Sequence, residues 1–170
     1  MIVIEHRAPA DALATERLVL PFDLRSKTRL RTRLASGEEA GLFLERGSVL
    51  RAGDRLLSND GRVVEVVAAP EAVMEVRSSD ALLLARAAYH LGNRHVAVEL
   101  QPGLVRFARD HVLGEMVRGL GLTVVDSEAP LEPESGAYGG HGGHAHPHGH
   151  SADGEGRGPR IHDMLLRGGR

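Results

Sequence analysis

The residues best equipped for chemistry are histidines, and they are unevenly placed. Five of the chain's ten, His141, His144, His146, His148 and His150, fall within one ten-residue stretch, and His162 follows. Imidazole nitrogen suits nickel, copper and zinc, and a few imidazoles around one ion satisfy it without sulfur. The chain has no cysteine, so disulfides and thiolate sites are both excluded and a metal is left to imidazole, carboxylate or backbone oxygen. An appended affinity tag is normally an unbroken run at a terminus; this tract is interleaved with Gly, Ala and Pro and is followed by residues 151–170. Capture of a divalent transition-metal ion is the chemistry the composition supports. The ligands do not choose the ion, because most nitrogen sites bind copper more tightly than nickel or zinc whatever their task.

Two further histidines, His90 and His95, lie in the stretch 89–95, Tyr-His-Leu-Gly-Asn-Arg-His. Neighbours on a helix face are three or four residues apart, so a spacing of five does not make a chelating pair. Gly92-Asn93 supplies a left-handed stop that ends the helix carrying His90. His95 then opens an extended segment, 95–100, whose alternation puts Val96, Val98 and Leu100 on one face and His95, Ala97 and Glu99 on the other. His95 thus faces away from its own core. One imidazole makes no site, but a two-fold axis between two copies supplies the same residue from both sides. His111 follows Asp110 at the start of a second helix, and is either a ligand or a solvated neighbour of a capping aspartate. His90 is left to packing or to support of a ligand, and His6 has no motif around it.

The elements that must hold these side chains are short. From 1 to about 70, β-prone runs at 2–5, 17–22, 28–34, 42–45, 55–57 and 62–68 are divided by turns at Ser36-Gly37, Arg46-Gly47, Ala52-Gly53 and Asn59-Asp60-Gly61, which argues for a small barrel or sandwich. Arg25, Lys27, Arg29, Arg31 and Arg33 recur every second residue, which on one strand makes a basic exposed face with Leu30 and Leu34 inward. Such a face serves as a charged edge that discourages strand pairing, as a protein-docking surface, or, last, as a nucleic-acid surface. Three Phe, two Tyr and no Trp leave few rings on which bases could stack. From Glu71 the order reads strand, helix capped by Ser79 or Asp80, strand, turn at Gln101-Pro102-Gly103, strand, helix capped by Asp110, strand. The fold class is therefore α+β: a small N-terminal all-β domain at 1–70, a ferredoxin-like (βαββαβ) domain at 71–138, and a disordered His-rich tail at 139–170. Residues 161–166 form a short apolar exit within that tail.

Charge is nearly balanced, 21 basic against 23 acidic residues, so no global field points to nucleic acid or an anionic membrane. Neither a signal peptide nor an apolar run long enough to span a bilayer is visible, and a soluble cytoplasmic protein is expected. No H-E-x-x-H, G-x-S-x-G or phosphate loop is present, and Glu132 and Glu134, set between prolines, are expected on a surface turn. The reading is not of an enzyme. A pure metal buffer, a metallohydrolase and a basic-strand nucleic-acid module are the competing classes.

Three motifs in order, Tyr-His-Leu-Gly-Asn-Arg-His-Val at 89–96, Asp-His-Val-Leu-Gly-Glu-Met at 110–116 and Pro-Leu-Glu-Pro-Glu-Ser-Gly-Ala-Tyr at 130–138, resemble the UreE family of urease accessory proteins, which are nickel metallochaperones. Lys27, Arg29, Gly37, Gly41, Leu42, Leu44, Arg46, Gly47, Gly53 and Asp54 fall on recurring positions of that family's N-terminal domain. The sequence departs from the pattern at Ala97, Leu131 and Arg109, the last replacing a histidine found near the metal in some members. The resemblance implies Ni(II) as cargo, with Zn(II) and Cu(II) open to the same ligands, and a homodimer with an interfacial ligand at His95. It also implies the urease apoprotein and its accessory GTPase as partners.

Overall fold

The computed structural model describes residues 1–135; the histidine tract, the 161–166 exit and the disorder expected of 139–170 lie outside them. Six strands, β1 (Ile2–Arg7), β2 (Glu16–Leu20), β3 (Arg29–Arg33), β4 (Glu39–Phe43), β5 (Arg55–Ser58) and β6 (Val63–Ala68), form one sheet in the order β2-β6-β5-β1-β4-β3. Their period-two burial sends Ile4, Leu18, Leu42, Leu56, Val64 and Val66 into a common core. The sheet curls until its edges meet, the Ala35 N–H donating to the Arg17 carbonyl at 2.8 Å, which gives the barrel-like shape.

One expected strand is cut short. The 17–22 run stops at Leu20, because Pro21 begins a one-turn helix, α1 (Phe22–Arg25), whose Leu24 and Arg25 N–H groups bond back to the Pro21 carbonyl. The five-residue basic ladder therefore does not exist as one face. Arg25 is on the helix and fully buried, and only Arg29, Arg31 and Arg33 share the exposed side of β3. Two of these are already partnered, Arg31 and Arg33 bonding Glu39 at 2.9 and 3.1 Å.

The second sheet is built from β7 (Pro70–Arg77), β8 (Val98–Gln101), β9 (Leu104–Ala108) and β10 (Val124–Pro130) in the order β10-β7-β9-β8, every pair antiparallel. With α2 (Ala81–Gly92) between β7 and β8 and α3 (His111–Gly119) between β9 and β10, this is the expected ferredoxin-like arrangement. Aspartates cap both helices. Asp80 accepts from the Leu82 and Leu83 N–H groups, and Asp110 from those of Val112 and Leu113. Leu91 of α2 and Val117 of α3 pack with Met74, Val76, Val105 and Phe107 of the sheet. No helix among the described residues is long and apolar enough to cross a membrane.

The two sheets are joined by Arg25. Its Nε donates to the Leu20 carbonyl at 3.1 Å and its Nη1 to the Leu50 carbonyl at 3.1 Å, both in the first half of the chain. The same Nη1 reaches Glu132 Oε1 at 2.7 Å, and Nη2 donates to the Leu131 carbonyl, both beyond β10. Glu132 is thus a half-buried acceptor rather than a surface-turn residue; a guanidinium with no exposure demands such a partner. Replacing Arg25 by Met removes a donor from four acceptors at once, of which the Leu20 carbonyl and Glu132 Oε1 keep one each, from the Ala69 and Ala52 N–H groups. Arg25→Met is expected to lower stability by about 3 kcal/mol, read as a fall in the urea midpoint at unchanged slope; a change below about 1 kcal/mol would show the clamp to be incidental.

Candidate metal centre

The placement of His95 follows from how α2 ends. Gly92 is still helical and Asn93 stays right-handed at φ −62°, so neither supplies the expected left-handed stop. Instead the Val96 N–H donates to the Leu91 carbonyl at 3.2 Å and the His95 N–H to the Gly92 carbonyl at 2.9 Å. These six-to-one and five-to-two bonds define a Schellman cap, in which the left-handed slot falls on His95. Its φ is +58°, and among the described residues it is the only non-glycine at positive φ. Leu91 and the half-buried Val96 share the second core, completing the apolar contact that such caps make. Arg94 Nη1 bonds the His90 carbonyl at 2.9 Å and satisfies another acceptor of the last turn.

His95 is therefore in a turn and not on the strand, which begins only at Val98. Its side chain is exposed, as expected, but for a different reason: the cap, not strand alternation, turns it outward. A left-handed residue with a Cβ costs roughly 1 kcal/mol relative to glycine, and histidine is among the types found there more often. His111 is the first residue of α3 and exposed, with Asp110 Oδ1 committed to capping at 2.8 and 3.1 Å. His90 is half-buried, its ring edge-on to Tyr89 at 5.3 Å between centroids. His6 is exposed on β1. Arg109, at the departure from the family pattern, pairs with Asp126 at 3.3 Å. Among the described residues no three His, Asp or Glu side chains come together at metal-ligand spacing, and His141, His144, His146, His148, His150 and His162 lie outside them.

What the sequence reading missed is acidic. Glu99, assigned by alternation to an open face, is only 5% exposed. It accepts from Arg106 at 2.9 Å, from Gln101 at 2.5 Å and from the Glu132 N–H at 2.9 Å. Arg106 also bonds Glu75 at 2.8 Å, and these bonds hold the Glu75 carboxyl below the usual carboxylate range. The available hint was weak: a glutamate alternating with Val98 and Leu100 on an edge strand reads as solvent-facing unless the covering element is known.

Comparison with known proteins defines the class. Residues 3–69 match the family profile described as UreE urease accessory protein, N-terminal domain, and residues 71–156 the profile for its C-terminal domain. The class is that of non-enzymatic accessory chaperones of urease maturation. The urease accessory protein UreE of Dechloromonas aromatica (strain RCB) is 54% identical over 151 residues, covering 86% of this chain and 84% of that protein. That of Pseudomonas putida (strain GB-1) is 54% identical over 88% of this chain and 90% of its own. That of Nitrosospira multiformis is 46% identical over 98% and 96%, respectively. The chain belongs to the UreE family.

If the histidine at the cap is kept for its imidazole and not for the fold, glycine must suit the backbone better. His95→Gly is expected to be at least as stable as the wild type, and His95→Ala about 1 kcal/mol less stable than His95→Gly. Thermal melts of the three chains decide this; a His95→Gly chain that melts well below the wild type would make His95 a structural residue.

Proposed function

We propose that the chain is a homodimeric nickel metallochaperone that carries Ni(II) to the urease active site in the cytoplasm, working with the urease apoprotein and the accessory GTPase of its assembly. The observation that carries this reading is His95, an exposed imidazole held in a backbone slot that favours glycine. Strain retained at one exposed residue points to a use for its side chain. A single chain offers the ion one ligand there, and a two-fold axis through the α2 cap brings a second His95 to the same ion. Self-association is favoured by apolar side chains left open on the same helices, Leu82 and Tyr89 of α2 and Val112 of α3, each more than 60% exposed. His111 is proposed as an auxiliary ligand.

In this reading residues 1–70 dock the partner, 71–138 form the dimer and hold the interfacial ion, and 139–170 collect ions. The tail histidines His141, His144, His146, His148, His150 and His162 supply loosely held ions and complete the shell at His95. Chain connectivity supports the supply, since the Glu134 N–H bonds the Val98 carbonyl at 2.8 Å, and His141 follows seven residues later. Ligands added from a separate segment can also leave, which a carrier requires and a storage site does not.

Calorimetry on the chain truncated after Tyr138 should find fewer ions but still one tight ion per dimer, and His95→Ala in that background should abolish it. Saturating nickel should also favour the dimer of the truncated chain, by about 2.7 kcal/mol at a hundredfold excess over the dissociation constant, measured by ultracentrifugation at dilute protein. Identical association with and without nickel, or a tight site that survives His95→Ala, would remove the ion from the two-fold axis.

A further inference from the structure

Along β3 and β4 the register sets Arg29 opposite Phe43, Arg31 opposite Gly41 and Arg33 opposite Glu39, and β1 runs on the other side of β4 with Val3 beside Gly41. Residues two apart on a strand share a face. Leu42 is buried in the barrel core, so Gly41 and Phe43 face outward with the three arginines. Gly41 has no side chain, and the Phe43 ring leans into the space this leaves: a Cβ at 41 would sit 3.1 Å from the ring's Cε2. The result is an open groove of about 340 Å³ lined by Met1, Gly41, Leu42 and Phe43 and flanked by Arg29 and Arg31. Its apolar part is in contact with water, Phe43 being 46% exposed.

The charges at its rim are unequal. Across β3 and β4 three guanidinium groups face one carboxylate, Arg31 and Arg33 sharing Glu39. Arg29 is exposed and pairs with no carboxylate among the described residues, and Glu5 of β1, also exposed, pairs with none of the three arginines. A free guanidinium presents a fork that matches a carboxylate in two parallel bonds. An arginine beside an open aromatic ring is the combination most often found where protein interfaces concentrate their energy. A nucleic-acid strand fits less well, since one ring gives it a single base to stack on.

We propose that the outer face of β1, β4 and β3 docks an acidic segment of a protein partner, with a carboxylate on Arg29 and a neighbouring apolar side chain laid over Gly41 against Phe43. The proposal rests on the reading above that residues 1–70 dock a partner, and it supplies the chemistry of the segment they take. Arg31 and Arg33, already held by Glu39, keep the rim positive without being free to pair.

The test uses the full-length chain and fluorescence anisotropy with three sets of short labelled peptides: Glu interleaved with Leu and Phe, the same with Ser for Leu and Phe, and the same with Lys for Glu. The first set should bind with a dissociation constant below roughly 0.1 mM, and the other two at least about tenfold more weakly. Arg29→Glu and Phe43→Ser should each weaken the first set about tenfold. Arg17→Glu, an equal change of charge at an exposed position of β2, should leave it unaltered. No binding of the first set overturns the proposal, as do equal losses from Arg17→Glu and Arg29→Glu, which would reduce the effect to net charge. An oligothymidine that displaces the peptides and binds more tightly would make the face a nucleic-acid surface, and a sedimentation change caused by Arg29→Glu would give it to a second copy; either overturns the proposal. Hydrogen exchange of the full-length chain mixed with purified urease apoprotein or accessory GTPase should show protection at residues 29–43. Protection confined to residues outside 1–70 removes the reading beneath while the peptides still decide the groove, and protection within 1–70 but away from 29–43 removes the groove alone.

Discussion

The guanidinium of Arg25 has no exposed surface, and much of the molecule is arranged to make that tolerable. A buried cation costs several kcal/mol unless its donors are matched, and here the matching acceptors come from Leu20, Leu50, Leu131 and Glu132. Leu20 is on β2 of the barrel-like sheet, Leu50 lies in the loop before β5, and the last two follow the second sheet, so the clamp fixes one sheet against the other at the point where the chain leaves β10. From Glu132 the pairing continues through its N–H to Glu99, then to Arg106 and Glu75. Each carboxylate in the series faces a guanidinium, Glu132 facing Arg25 and Glu99 and Glu75 facing Arg106, so no charge is left buried alone.

That network also decides which surfaces are free. The second sheet buries its apolar side under α2 and α3, and its other side carries Glu75, Arg106 and Glu99, whose side chains are at most 13% exposed. Ion pairs and the 131–135 segment cover the part of that side around Glu99 and Arg106, although Val125 beside Glu75 stays exposed, and the helices also keep open apolar residues on their outer faces. Association with a second copy can therefore use the helical face without disturbing the clamp, which is what the proposed dimer requires.

Local signals carried the fold far. Asp80 and Asp110 announce their helices because a carboxylate satisfies N–H groups that the first turn leaves open, and the order of elements from Glu71 onward leads to the ferredoxin-like sheet. The failures share one cause, which is that what covers a residue is not local. Period-two spacing placed Arg25 on a strand, but Pro21 turned the chain into a helix and pointed the side chain at a segment more than a hundred residues away. Alternation correctly separated Glu99 from Val98, yet said nothing of what would lie over Glu99. For the candidate site, the exposure of His95 and the helix stop before it were legible, while the residue that takes the left-handed slot was not. The hydrogen bonds of the cap count from Leu91, and composition favoured the Gly and Asn upstream.

A ligand on a helix cap differs from one on a strand in ways that suit a carrier. A strand residue shares its face with residues two positions away, and those neighbours tend to become further ligands or to crowd the ion. His95 follows a closed turn whose bonds to Leu91 and Gly92 fix its backbone, while its imidazole stands clear of the sheet. The backbone is fixed by the cap, and one chain offers a single imidazole there. On the proposed reading, incompleteness is the functional property, because the ligands beyond His95 and the auxiliary His111 come from another copy or from the tail and can be exchanged for one on the receiving protein. The strain of roughly 1 kcal/mol at the left-handed position is small beside ordinary domain stability, and it is confined to the residue proposed to meet the cargo.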